Sequence, residues 1–170
     1  MRIEILFTYF GVYYRYKYYW EKYEMNNLEI ALNGVKIASD ILNIPAPEVY
    51  FLSADNFTNK DVNAMFRFSS YEILFNVDWV LNVPWIEVIV TCFHEARHAY
   101  QSHSIIKGIN EPIEVLEQWE LEFESYNTPS GSYTPLTDFD YLNQSIEIDA
   151  IRFTHNQIVE LFGVKTIRNK

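Results

Sequence analysis

At 170 residues the chain is the size of one domain, and a domain of that size buries roughly two-thirds of its unfolded surface in a single core. Thirteen Lys and Arg against 23 Asp and Glu leave a net charge of −10 and a pI near 4.8, which excludes the basic patch that a nucleic-acid surface needs to displace counterions. A hydrophobic share of 49% excludes general disorder, and a single cysteine, Cys92, excludes a disulfide scaffold.

Residues 1–23 carry much of the aromatic content of the chain. Tyr, Phe and Ile there favour a strand, while the length and the Glu21–Glu24 region tolerate a helix. The uncharged run at 5–14 has 10 residues, about half of a bilayer span. Arg15, Lys17 and bulky tyrosines follow it, where a secretory signal would have a small-residue cleavage site. A soluble, cytoplasmic protein with no stable membrane span is the expectation, with partner or membrane-surface binding as the alternative role of this segment.

From Asn27 onward Leu28, Ala31, Leu32, Val35, Ala38, Ile41 and Leu42 recur at helical spacing until Pro45 and Pro47 end the pattern. Three β-rich runs follow at 48–52, 63–68 and 71–77. The last two are separated by Ser69-Ser70, which predicts a tight antiparallel hairpin. Pro84 is placed to open a helix over 85–101 that is apolar almost all round, so it is expected at the centre of the domain with Cys92 in the core. Trp79, Trp85 and Trp119 read as core aromatics.

A further helix is predicted over 111–126, capped by Asn110 and with Pro112 in its first turn. Pro129, Gly131 and Pro135 mark 127–138 as a loop, and a last helix is expected over 140–162 with Ile146, Ala150, Phe153 and Ile158 inward. The fold class is therefore α+β: one domain over 1–170, with a leading helix, a small antiparallel sheet of about three strands, a buried helix against it, and further helices behind. The acidic excess is concentrated in 111–150, which contains no Lys or Arg. It reads as a solvated helix face plus an acidic loop, or as a rim that attracts basic substrates or cations.

The chemistry lies in the buried helix, at His94-Glu95-Ala96-Arg97-His98. Histidines at i and i+4 project from one helical face, one turn apart, and can converge on one ion. Glu95 is turned about 100° from His94, beside such an ion rather than on it, where it can act on water as a general base. Four residues are candidates for a third ligand: His103, His155, Glu147 and Asp149. His103 lies about 140° off the ligand face of a continuous helix. The extended pattern with a third His on the same segment is absent, because Gln101 and Ser104 occupy the Gly and His places.

His94–His98 followed by Glu147-x-x-Ala150-x-x-Phe153 on a later helix resembles the gluzincin branch of zinc peptidases, and is most similar to the minigluzincin and ImmA/IrrE-like proteins. The resemblance implies a zincin-like core, Zn2+ held by His94, His98 and Glu147, Glu95 as the catalytic base, and a close helix approach at Ala150. It also implies limited cleavage of an intracellular protein or peptide substrate. The family places Asp or Asn four residues after the ligand Glu to support a ligand His, and this chain has Ile151 there. A zinc-binding regulatory or interaction module with little turnover is the alternative.

Among the remaining residues, Arg97 is expected to pair with a carboxylate, and Gln101 to line the cleft or sit half-buried. His103 is expected to be solvated. His155, Tyr133 and Tyr141 are the candidate oxyanion donors, and 71–77 is the expected edge strand for an extended substrate.

Overall fold

The structure, a computed structural model, describes residues 25–129 and 138–163. The aromatic segment 1–23 and Tyr133 lie outside the described residues. Within them the protein is α+β, with six α-helices and a three-stranded mixed sheet.

Helix α1, Asn27–Leu42, starts where the Asn26 side chain accepts from the Glu29 amide and the Glu29 carboxylate accepts from the Asn26 amide, a reciprocal capping box. It stops at Asn43, whose left-handed backbone (φ 54) returns its amide to the last turn. Ile30, Ala31, Val35 and Ala38 form the buried stripe, but Leu32 and Ile41, expected inward, are exposed.

The sheet consists of β1 (Glu48–Leu52), β2 (Ala64–Arg67) and β3 (Glu72–Asn76), in the order β1-β3-β2. β2 and β3 form the expected antiparallel hairpin, but β1 pairs with β3 in parallel, so the sheet is mixed rather than antiparallel. The consequence is larger for β3. It is the central strand, not an edge: both of its flanks are hydrogen-bonded, and Ile73, Leu74, Phe75 and Asn76 are buried in succession. Among the described residues the edges are β1 and β2. The hairpin turn is also longer than Ser69-Ser70. It takes residues 68–71 and closes where the Tyr71 amide donates to the Arg67 carbonyl at 3.0 Å, with Tyr71 at φ 56.

Asn76 ends β3 and caps a short helix α2, Val77–Asn82, which the sequence pattern did not predict. Its Oδ1 accepts from the Asp78 and Trp79 amides while its Nδ2 donates to the Lys60 and Val62 carbonyls. Pro84 then precedes α3, Trp85–Lys107, which continues about 1.7 turns beyond the expected 101 to a left-handed Gly108. Helix α3 is the axis of the molecule. α1 packs on it where Gly34 meets Cys92, and β2 and two later helices pack on its other sides, burying Val88, Ile89, Cys92, Phe93, Ala96 and Ala99.

Helix α4, Ile113–Glu124, begins after Pro112, later than expected. Asn110 adopts a left-handed turn (φ 73) and does not cap the helix. Trp119 is buried with Leu116 against Ile146, whereas Trp79 and Trp85 are only half-buried. The predicted helix over 140–162 is two helices, α5 (Phe139–Leu142) and α6 (Ser145–Phe162), broken at Gln144 in extended backbone. Glu122 of α4 caps the second piece from outside: its Oε2 accepts from Ser145 Oγ and the Ile146 amide, each at 2.9 Å. Ile146, Ala150 and Ile158 face the core, and α6 packs against α3.

Candidate metal centre

Helical periodicity presents His94 and His98 one turn apart on α3, and the crossing of α6 brings Glu147 to them. The two Nε2 atoms are 3.1 Å apart with the rings nearly perpendicular (85°). Glu147 Oε1 stands 3.2 Å from His98 Nε2, and Oε2 stands 3.3 Å from His94 Nε2. One donor atom from each residue falls within 4.8 Å of the others, a group that can hold a metal ion. Glu147 is fully buried in the first turn of α6 and His98 nearly so (5% exposed), while His94 is half-buried.

The donor set fits a divalent cation on three counts. Two imidazole nitrogens at this distance repel unless a proton or a cation lies on one of them. Glu147 Oε2, buried, has no hydrogen-bond partner among the described residues. Two imidazoles and a carboxylate are a ligand combination that zinc accepts, with other divalent ions also compatible.

Electrostatically the three residues are one unit. Burial opposes the positive form of His98, but the Glu147 carboxylate overcomes it, and the imidazole is pushed up to about 9. Glu147 shows the converse. Burial alone would raise it, yet His98 and His94 hold its carboxyl well below the usual range. Glu95 is buried one residue along from His94, and its charge acts on both His98 and the nearby Tyr126 phenol. That places it beside the cluster and outside the ligand group.

The other candidates stand elsewhere. Asp149 does not join the group: its Oδ2 and Oδ1 accept from Arg97 Nε (2.7 Å) and Nη2 (3.0 Å), the ion pair expected of Arg97. His103 is half-buried rather than solvated, and both it and His155 lie outside the group. His155 is two turns from Glu147 along α6. Tyr141 is buried and turns its ring edge-on to Tyr126 at 6.2 Å.

Two contributors, Tyr126 and Phe123, were not foreseen, and a third, Gln101, was expected only to line the cleft or sit half-buried. Tyr126, just past α4, donates its hydroxyl to Glu147 Oε1 at 2.6 Å, although the residue as a whole is 38% exposed. Burial and then the Glu147 charge push its phenol far up, so it holds its proton. Phe123 lies edge-on to His98 (6.2 Å) and against Phe68 (4.9 Å), which links the end of β2 to the histidines. Gln101, one turn beyond His98, is fully buried rather than half-buried and accepts from His98 Nδ1 at 2.8 Å. Its spacing on the histidine face was the one available signal. Nothing in the sequence around Tyr126 or Phe123 distinguishes them from other aromatics.

Among the described residues no helix is long and apolar enough to cross a membrane. Comparison with protein-family profiles, curated protein sequences and solved structures found no match to the chain.

Proposed function

We propose that the protein is a zinc-dependent metallopeptidase with a gluzincin-like site, in which His94, His98 and Glu147 hold the ion and Glu95 is the general base. The supporting observation is the convergence of both Nε2 atoms and the Glu147 carboxylate in one buried group, with a second carboxylate beside it. When bound, the cation supplies Lewis acidity, polarising a carbonyl oxygen and lowering the pKa of water toward about 7. Glu95 takes a proton from the attacking water and returns it to the leaving amine. Tyr126, on releasing its bond to Glu147 Oε1, turns its phenol proton to the carbonyl oxygen as that oxygen gains charge.

The substrate strand belongs on an edge, and β3 is not one. Among the described residues β2 is an edge strand that packs on α3, and its end leads through Phe68 and Phe123 to His98. An extended peptide added to β2 would run up to the metal centre.

The decisive experiment is Glu95→Gln. Zinc content should match that of the parent protein, while cleavage of an unfolded protein substrate disappears. Retained turnover removes Glu95 from the chemistry. A parent protein that binds zinc but cleaves no substrate points instead to a zinc-binding interaction module.

A further inference from the structure

The hydrogen bonds behind His98 have only one consistent polarity. Gln101 Nε2 lies 2.9 Å from the Ile146 carbonyl and 2.8 Å from Asp149 Oδ2, two groups that only accept. The amide nitrogen must therefore face α6, and the amide oxygen must face His98. That oxygen is 2.8 Å from His98 Nδ1, so Nδ1 carries the proton. In the neutral ring the lone pair is then on Nε2, the atom directed at Glu147 and His94. Asp149 is held in turn: Arg97 grips both of its oxygens, stacks 4.0 Å over the Tyr100 ring, and stands 3.7 Å from Glu111. Gln101 and the Gln101-facing oxygen of Asp149 thus form a fixed chain from α6 to a ligand candidate on α3.

We infer that Gln101, oriented by Asp149 and Arg97, is a positioning residue that presents His98 Nε2 to the metal. The inference rests on the metal-centre reading above. It accounts for Ile151, which stands where the resembled family has its supporting Asp or Asn. Here the support comes from the histidine helix itself, three residues after the ligand, and the acidic residue at 149 orients it rather than touching the ring. Supporting partners of this kind typically carry about 10–100-fold in metal affinity.

The test is zinc affinity, read by competition with a chromogenic chelator, together with the 15N-imidazole spectrum of the full chain. Gln101→Leu should bind zinc about 10–100-fold more weakly and lose the hydrogen-bonded His98 Nδ1–H resonance. Asp149→Ala keeps the Gln101 amide but removes one of the two acceptors that fix which end of it faces His98. It should weaken zinc binding by a smaller factor than Gln101→Leu and shift the resonance rather than abolish it, and it decides the matter alone if Gln101→Leu does not fold. Equal affinity in the parent and Gln101→Leu, or a folded Asp149→Ala that binds zinc as tightly as the parent with an unmoved resonance, overturns the positioning role and leaves the metal centre standing. A parent protein that takes up no zinc overturns the metal reading and this inference with it.

Discussion

Tyr126 and Glu147 are joined by a 2.6 Å hydrogen bond between the phenol and a carboxylate oxygen that also faces His98. The bond connects the end of α4 to the first turn of α6 and brings a retained proton to the edge of the candidate metal centre. Tyr126→Phe keeps the ring packing and removes only that proton. Peptide turnover should fall about 100-fold, the scale of one lost oxyanion donor, while zinc stoichiometry stays unchanged. An unaltered kcat with normal zinc content would mean that the phenol only orients Glu147.

Glu147→Gln preserves volume but removes the charge that both histidines face. After dialysis against zinc-free buffer, bound zinc should drop from about one ion per chain to a small fraction of that, since only two protein ligands remain. Asp149→Asn should still retain its ion under the same dialysis, because Asp149 binds Arg97 and Gln101 and lies outside the group. Metal analysis of the two variants side by side distinguishes the ligand from its neighbour, and the reverse pattern would exchange their roles.

The pH dependence of the metal-free protein follows from the paired shifts. His98 is raised to about 9 from an ordinary 6.5, so its contribution is complete below 6.5 and is lost as pH rises through about 9. Glu147 is depressed well below 4.5, so its contribution is complete above 4.5 and is lost as pH falls through the depressed value. For this pair the metal-free protein is therefore most stable between about 4.5 and 6.5. In EDTA the Tm should decline from pH 6 to pH 9. With saturating zinc the decline should flatten and the gap between the two curves should widen with pH, because binding the ion displaces the proton. Parallel curves would show that zinc does not bind at His98.

Gly34 sets the spacing between α1 and α3. A methyl group there would lie 2.9 Å from Cys92 Sγ and 3.1 Å from Ile89 Cδ1. Gly34→Ala gains about 1 kcal/mol of helix propensity but meets an overpacking cost of about 1–3 kcal/mol. The net effect should be a loss of about 1 kcal/mol, measured by urea unfolding. Cys92→Ala removes the Sγ contact but leaves Cβ at 3.0 Å, so the double variant should be only somewhat more stable than the sum of the single losses predicts. Strict additivity would show that the helices slide apart instead.

Much of the site was legible before any tertiary contact was known. The apolar surround of 85–101 implies a buried helix, and the i, i+4 spacing aims His94 and His98 the same way in any α-helix. Arg97 as one half of an ion pair, the β2–β3 hairpin and the inward face of α6 at Ile146, Ala150 and Ile158 follow from equally local patterns. Helix boundaries were less legible where a cap comes from a distant residue. Glu122 starts α6 at Ser145 from another helix, and no local pattern near Gln144 announces that break.

Backbone geometry repeats every few residues, so whatever depends on one turn or one pleat can be read along the chain. Which strand becomes central does not depend on β3 alone: β1 must return beside it in parallel, a pairing made across 24 positions (Glu48 with Glu72). The helix crossing that separates Glu147 from Asp149 is decided in the same way. Two acids two residues apart are about 200° apart around α6, and only the packing against α3 determines which meets the histidines and which meets Arg97 and Gln101. The sequence alone determined the helix that carries the two rings. Tertiary packing decided what they face, because a side chain's partner depends on contacts between segments far apart in the chain.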